Sequence, residues 1–445
     1  MRILYEFTVF RVLTDVVFLV VLFFVQRFWF RGALQLIRRA SPVRLRQALQ
    51  ILWFLAVIFV TVTVLNSTFA RFLPRRGIST WILAGGKLWL AVSFVGFVGV
   101  KILQAADLLA ARALAAIEPR RRERFDPMRR EFFRYAGYLV GGMPIVVGTY
   151  GFFGERLDYR IRSIDIPIPD LPAGLDGLRI VQLSDIHMSD FLPLREVRRA
   201  VTMASALRGD IIVVTGDFIT AAHDPLGDCI AELSRLHAPL GVWGCNGNHE
   251  IYAHVEAKAK SLFAYYGMRL LRQECAAIEW RGAKFNLLGV DYQRERPPFG
   301  ARHPMLTLIE PLVRKDIPNI LLSHNPNSFT RAAEMGIELS LAGHTHGGQV
   351  QVEILDHSWS PASYMTDFVA GLYRLPLGVA GKSATQAESA PAAAAVEATP
   401  PAMAGSPGAA KFASIYVNRG LGTIGMPIRI GVPPEITVIT LRSET

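Results

Sequence analysis

The sequence predicts two architectures in one chain: an α-helical membrane region of about four spans over residues 1–154, then an α/β domain over residues 155–445. Three observations carry this. The first third holds stretches of about 20 mostly apolar residues, the length a bilayer requires. Residues 1–150 carry 21 basic and 7 acidic side chains, a net of +14, whereas residues 151–445 carry 27 basic and 30 acidic, a net of −3. The later residues repeat one pattern, a short apolar run cut off by polar residues and then helix-like sequence, which reads as buried strands. At 51% hydrophobic residues, global disorder is excluded. The basic excess lies apart from all ten histidines, so no nucleic-acid partner is expected.

The spans follow in order. The first covers residues 8–30, where the uninterrupted apolar run is 16–25 and Arg11 and Asp15 precede it. Those two are four apart and can pair on a helix, which lowers the cost of burying them. An interfacial helix is the alternative. The second span, 48–70, is the cleanest; the third, 81–102, has Lys87 near one end; the fourth, 135–153, is Gly-rich. A cleaved signal peptide fits poorly, because further spans follow. Arg27, Arg31, Arg38, Arg39, Arg44 and Arg46 crowd the first loop, and Arg112, Arg120, Arg121, Arg122, Arg124, Arg129, Arg130 and Arg134 precede the fourth span. The second loop has only Arg71, Arg75 and Arg76. Cytoplasmic loops retain positive charge, so the two richer loops are expected inside a cytoplasmic (inner) membrane. The fourth helix then leads out, and residues 155–445 are expected on the extracytoplasmic side. Cys229, Cys245 and Cys275 have no disulfide or zinc spacing, and their pairing stays open.

In the α/β domain, strands are expected at 178–183, 211–214, 241–243, 320–322 and 339–341. Each runs into a polar block: Ser184-Asp185-Ile186-His187, Thr215-Gly216-Asp217, Gly247-Asn248-His249-Glu250, Ser323-His324-Asn325-Pro326 and Gly343-His344-Thr345-His346-Gly347-Gly348-Gln349. The spacing of about 30 residues between the first three blocks suits βαβ units, and open α/β sheets bind ligands beyond their strands' carboxyl ends. Asp185 and His187 are two apart, as are His344 and His346, so each pair projects to one side of an extended chain. Imidazole with carboxylate suits divalent transition metals better than calcium. Seven candidate groups exceed what one tetrahedral zinc needs. Two ions sharing one carboxylate is the economical solution, and such pairs perform in-line displacement at phosphorus.

The blocks DxH, GD, GNHE, SHNP and GHTHGGQ, in this order, resemble the calcineurin-like metallophosphoesterase superfamily, and within it the bacterial membrane-associated phosphodiesterase branch. The resemblance spans residues 178–441 and includes a closing Asn418-Arg419-Gly420-Leu421-Gly422 segment and a terminal strand at 434–441. It implies a four-layer α/β/β/α sandwich and two divalent ions, drawn from Mn, Fe, Zn or Co. It implies that Asp185, His187 and His346 hold the first ion, that Asn248, His324 and His344 hold the second, and that Asp217 bridges them. His249 would contact the substrate phosphate and protonate the leaving oxygen. No tyrosine ligand is evident, so an iron–tyrosinate site is not expected. The ions would lower the pKa of a bridging water so that hydroxide attacks near neutral pH.

Other residues are weighed on their own. Arg419 is a candidate for binding a phosphate or headgroup, equally a structural arginine. Asp291 ends an apolar run and is a candidate site-lining residue. Asp190 and Glu250 adjoin ligands and are candidates for orienting a histidine from behind. His223, His237, His254, His303 and His357 are read as surface or core histidines, and Cys245 as a small buried residue. Residues 379–410 hold 13 Ala and 4 Pro with no aromatic, and read as a disordered insertion between strands at 369–373 and 414–417. The expected function is a membrane-anchored phosphoesterase acting on phosphodiesters or phosphomonoesters of envelope lipids, with the bilayer and a phosphate ester as partners. One alternative is a cytoplasmic-face UDP-diacylglucosamine pyrophosphatase-like enzyme of lipid A synthesis. Another is a non-enzymatic receptor or scaffold with a vestigial metal site.

Overall fold

The computed structural model describes residues 2–67, 77–117, 122–294, 305–354, 357–379, 385–388 and 411–444. It divides into two compact units, Met1–Tyr150 and Gly151–Thr445.

The first unit is built from α1 (Arg2–Arg38), α2 (Val43–Leu65), α3 (Ile78–Ile117) and most of α4 (Arg122–Phe153). Four stretches are long and apolar enough to cross a membrane: Leu13–Arg38, Val43–Leu65, Ile78–Ala113 and Met128–Leu157. The first is one continuous helix that runs eight residues past the predicted boundary, because Phe28, Trp29, Phe30, Leu34 and Leu36 keep it apolar beyond Arg27. Phe18, Leu55, Phe94 and Leu139 are exposed, as lipid-facing side chains are. The polar groups between helices find partners. Gln26 Nε2 donates to Ser93 Oγ at 3.0 Å, Trp89 Nε1 donates to Gln26 Oε1 at 2.8 Å, and Trp29 Nε1 donates to Ser93 O at 2.9 Å. Such bonds join helices where no water competes. The loop with Arg71, Arg75 and Arg76, together with Arg120, Arg121 and the side chain of Arg11, lies outside the described residues.

The second unit opens with β1 (Arg160–Ile168) and β2 (Arg179–Leu183), then α5 (Leu194–Ala206), β3 (Ile211–Thr215), α6 (Leu226–Leu233), β4 (Val242–Cys245), α7 (Asn248–Tyr252), α8 (Glu256–Tyr265) and β5 (Arg269–Leu270). It continues through β6 (Glu274–Trp280), β7 (Ala283–Gly289), β8 (Asn319–Leu322), α9 (Phe329–Glu334) and β9 (Leu339–Ala342). A small β10–β11 hairpin (Val352–Ile354, His357–Trp359) follows, then β12 (Gly371–Pro376), β13 (Thr385–Glu388), β14 (Phe412–Val417) and β15 (Glu435–Ser443).

One sheet runs β1-β15-β2-β3-β4-β5, the other β13-β12-β14-β9-β8-β7-β6. Ile166, Ile180 and Val213 of the first pack on Phe285, Ile320 and Leu341 of the second. Val197, Ile230 and Phe263 cover the outer face of the first sheet from α5, α6 and α8. Phe329 and Ala332 of α9 cover the second. The result is the α/β/β/α sandwich. β2, β3 and β4 are mutually parallel, as are β7, β8, β9 and β14, so their carboxyl ends gather at one rim.

β1 and β6 were not anticipated. Both alternate exposed with buried residues rather than forming unbroken apolar runs, because each packs on one face only. Residues 369 and 370 belong to a turn whose amides donate to Tyr373 Oη, and β12 starts at Gly371. Within the Ala/Pro-rich insertion, Thr385–Glu388 pairs antiparallel with β12, which the reading of that segment as disordered did not foresee. Residues 380–384 and 389–410 lie outside the described residues, as does His303. All three cysteines are free, Cys229 and Cys245 buried and Cys275 exposed.

Candidate metal centre

Each polar block leaves its strand at the shared rim. Asp185, His187, Asp217, His344 and His346 all sit at left-handed φ, between 47° and 75°. Such a conformation costs a non-glycine residue about 1–3 kcal/mol, and its repetition across three loops marks a site the fold is built to hold. Gly343 shows why the loops meet so closely: a Cβ there would lie 2.2 Å from Asp185 Oδ2.

The ligand-type atoms converge in groups: Asp185 with His187 and His346, Asp217 with His324 and His344, and His187 with Asp217 and His249. His187 Nε2 lies 3.1 Å from His346 Nε2 and 3.4 Å from Asp217 Oδ2. His324 Nε2 lies 3.1 Å from the same Asp217 oxygen, and His346 Nε2 lies 3.4 Å from Asp185 Oδ1. Asp185, His187 and His324 are fully buried. Two ring nitrogens facing each other at 3.1 Å repel unless a proton or a cation lies between them. Metal–nitrogen bonds of about 2.0–2.1 Å place neighbouring ligand atoms roughly 3 Å apart, which these separations match. Asn248 Oδ1 is buried and accepts no hydrogen bond, as a metal-ligating amide oxygen would. The donor set therefore fits divalent metal.

Electrostatics agree. Burial pushes the Asp185 carboxyl up. Burial would push His324 down, but the Asp217 and Asp185 carboxylates outweigh it and hold it at about 10. Burial, then charge on His324, pushes His344 down to about 3, and burial, then His187, holds His346 well below its usual range. Two imidazoles are thus held neutral and ready to ligate, while a third keeps a proton that a divalent cation would displace.

Supporting contacts fix the rings. Thr215 O accepts from His324 Nδ1 at 2.6 Å, which leaves Nε2 facing the cluster. Thr220 O accepts from His249 Nδ1 at 2.6 Å, and Thr220 Oγ1 lies 3.3 Å from His187 Nδ1. His249 stacks edge-on against His187 with centroids 4.7 Å apart, and burial lowers its pKa against the pull of Asp217.

Glu250 stands behind the cluster. Its carboxylate accepts from the amides of Gly247, Asp217 and Phe218 at 2.8–2.9 Å, tying two ligand loops together. Asp190 is half-buried in the turn after His187 and is not among the converging groups. Arg419 is nearly buried, its Nε 3.5 Å from Glu435 Oε2. The Asp291 carboxylate accepts from Arg272 Nε at 2.9 Å and Asn246 Nδ2 at 2.7 Å.

Two residues at the cluster went unread in the sequence. Tyr292 follows Asp291, and its Oη lies 3.4 Å from His344 Nε2 while its ring packs on His344 and His324. The other is Arg429, a fully buried guanidinium whose donors reach Arg419 O, Gly420 O, Gly422 O and Val432 O. That loop in turn grips the first ligand block. Leu421 N donates to Ser184 O and Gly422 N to Asp185 O, and a Cβ at Gly420 would sit 2.5 Å from Asp185 Cβ. The available signal was an arginine embedded in the apolar stretch Met426–Val432.

A family model described as calcineurin-like phosphoesterase matches residues 178–348, the stretch that supplies every ligand-type residue above. The chain belongs to the calcineurin-like metallophosphoesterase superfamily. It is 28% identical over 324 residues to the uncharacterized metallophosphoesterase YkuE of Bacillus subtilis, covering 71% of this chain and 98% of that one. It is 27% identical over 350 residues to a transmembrane protein with metallophosphoesterase domain from Bos taurus, covering 76% and 68%. It is 24% identical over 320 residues to the UDP-2,3-diacylglucosamine pyrophosphatase LpxG of Chlamydia muridarum, covering 63% and 88%. The protein is a phosphoesterase and a multi-pass membrane protein, so the receptor or scaffold alternative is set aside.

Proposed function

We propose that the enzyme is a dinuclear metal-dependent phosphoesterase that hydrolyses phosphate esters of envelope lipids on the extracytoplasmic side of the cytoplasmic membrane. The observation that carries the mechanism is the position of Asp217, whose Oδ2 lies within 3.4 Å of both His187 and His324. Asp185, His187 and His346 would hold one ion, Asn248, His324 and His344 the other, and Asp217 would bridge them. The ions, from among Mn, Fe, Zn and Co, would supply an acidified water and neutralise phosphate oxygens. His249, with Nδ1 committed to Thr220 O, presents Nε2 to a phosphate oxygen. Burial keeps it neutral until a bound phosphate anion favours its protonated form, which then donates to the departing oxygen. Water adds across the bond, its oxygen to phosphorus and its proton to the leaving group.

The full chain in detergent with Mn²⁺ is expected to hydrolyse bis(p-nitrophenyl) phosphate and to stop on chelation. Hydrolysis that survives chelation would sink the metal mechanism. The excess of arginine in the first loop and before α4 supports the outward orientation. A second reading, a cytoplasmic-face UDP-diacylglucosamine pyrophosphatase-like enzyme, draws on the similarity to LpxG. Protease added to intact spheroplasts separates them: cleavage within residues 379–410 is expected, and protection until lysis favours the cytoplasmic reading.

A further inference from the structure

The membrane unit contains a cavity of about 930 Å³ bounded by all four helices. That is at the upper end of the roughly 300–1,000 Å³ usual for ligand sites. We propose that it binds one anionic phospholipid of the arginine-rich leaflet.

The cavity is polarised along the helices. One end is formed by Phe28 of α1, Val60 of α2, Trp89 of α3 and Gly142 of α4. The other is formed by Arg39 just past α1, Leu49 of α2, Asp107 of α3 and Arg134 of α4. From Leu49 to Val60 on α2 the lining extends eleven residues, and from Trp89 to Asp107 on α3 eighteen. At about 1.5 Å per residue these are about 17 and 27 Å, against a hydrocarbon core of about 30 Å. The space is thus long enough for the acyl chains of one leaflet, aromatic and apolar along its length and basic at one end.

Charge at the arginine end selects an anion. Asp107 is already engaged by Arg129 Nη1 at 2.8 Å. Among the described residues the carboxylate Arg134 meets is Glu131, at 3.3 Å, and both side chains are more than half exposed, a pairing a headgroup phosphate can displace. Arg39 is exposed beside them. Basic pockets between membrane helices at the headgroup level suit anionic lipids.

The glycines argue that the space is kept open. Gly96 and Gly148 sit where helices touch, and a Cβ on either would lie within 2.7 Å of a neighbour. Gly32, Gly137 and Gly142 line the cavity, and a Cβ there would meet nothing within 4 Å. Helix packing explains the first pair. It does not explain the three, which weaken a helix relative to alanine without letting any neighbour approach.

The test is native mass spectrometry of the full chain, delipidated and titrated with phosphatidylglycerol or phosphatidylcholine of equal chain length. One phosphatidylglycerol per chain is expected to bind saturably, about tenfold or more tighter than phosphatidylcholine. Arg39→Gln with Arg134→Gln should bring the two lipids within about twofold. Gly137→Leu should weaken both, and hydrolysis of the soluble aryl diester by each variant reports that the chain is folded. Equal, unsaturable uptake of both lipids, or wild-type lipid binding by a folded Gly137→Leu chain, overturns the proposal.

Discussion

The two sides of the metal cluster are built differently. Asp185, His187 and His346 are sealed from solvent, packed from behind by the Asn418–Gly422 loop that Arg429 holds. On the other side His249 and His344 are partly exposed, and Tyr292, Tyr252 and Arg294 form an open margin, with the Arg294 guanidinium over both tyrosine rings at 4.9 and 5.7 Å. The closed side has the geometry of an anchor. The open side is where a phosphate ester can enter and its leaving group depart. The difference teaches that one cluster can divide its labour, with rigidity concentrated where no substrate passes.

Substitutions can break or sharpen this division. Asp217 belongs to both sides, so Asp217→Ala should bring hydrolysis of bis(p-nitrophenyl) phosphate below detection and lower the metal bound per chain, read by elemental analysis. Retained turnover with full metal content would mean that the two sides work independently. On the open side, His249→Ala should lower kcat by about 10²–10⁴-fold while metal content stays at the wild-type level. Parallel loss of metal would move His249 from acid to ligand.

The closed side is probed from a distance by Arg429→Met. It removes the guanidinium from four carbonyls, leaving Gly420 O with the Glu435 amide, and should weaken metal affinity by about 10–100-fold, measured by competition with a fluorescent chelator. Its effect on KM should be small, because nothing on the substrate's path moves. A change confined to KM would contradict the assignment of sides. The smallest effect is expected from Tyr292→Phe, which keeps the ring against His324 and His344 and removes one hydroxyl. About 0.5–1.5 kcal/mol, roughly two- to twelvefold in kcat/KM, is the scale for one hydrogen bond.

The same contrast explains what the sequence made legible. The blocks that converge at the rim were readable because their apolar runs are short and stop abruptly at Asp–x–His and His–x–His pairs. Tyr292 was hidden by its neighbour: both follow β7 closely, and an acidic side chain draws attention before a tyrosine does. Only the structure shows Asp291 turned to Arg272 and Asn246 while Tyr292 faces the histidines. Arg429 was hidden for another reason. Its partners are backbone carbonyls, which have no sequence signature. β1 and β6 escaped because strands with one wet face do not look like the unbroken runs of a parallel core. The membrane helices were legible from composition alone, but the space between them depends on where glycines happen to face.

β15 lies between β1 and β2, so the first sheet receives its second strand from residues 435–443. During synthesis the ribosome releases β1, all the ligand blocks and the second sheet before that strand exists. Until then the edges of β1 and β2 that face β15 stay unpaired, and the loop that grips Asp185 lacks its bonds from Asn418 to Thr437 and from Glu435 to Gly420. A nascent chain already held in the bilayer by its first four helices must therefore wait for residues 435–443 before this sheet can close. A chain cut before residue 435 would lose the strand that joins β1 to β2 rather than a dispensable tail.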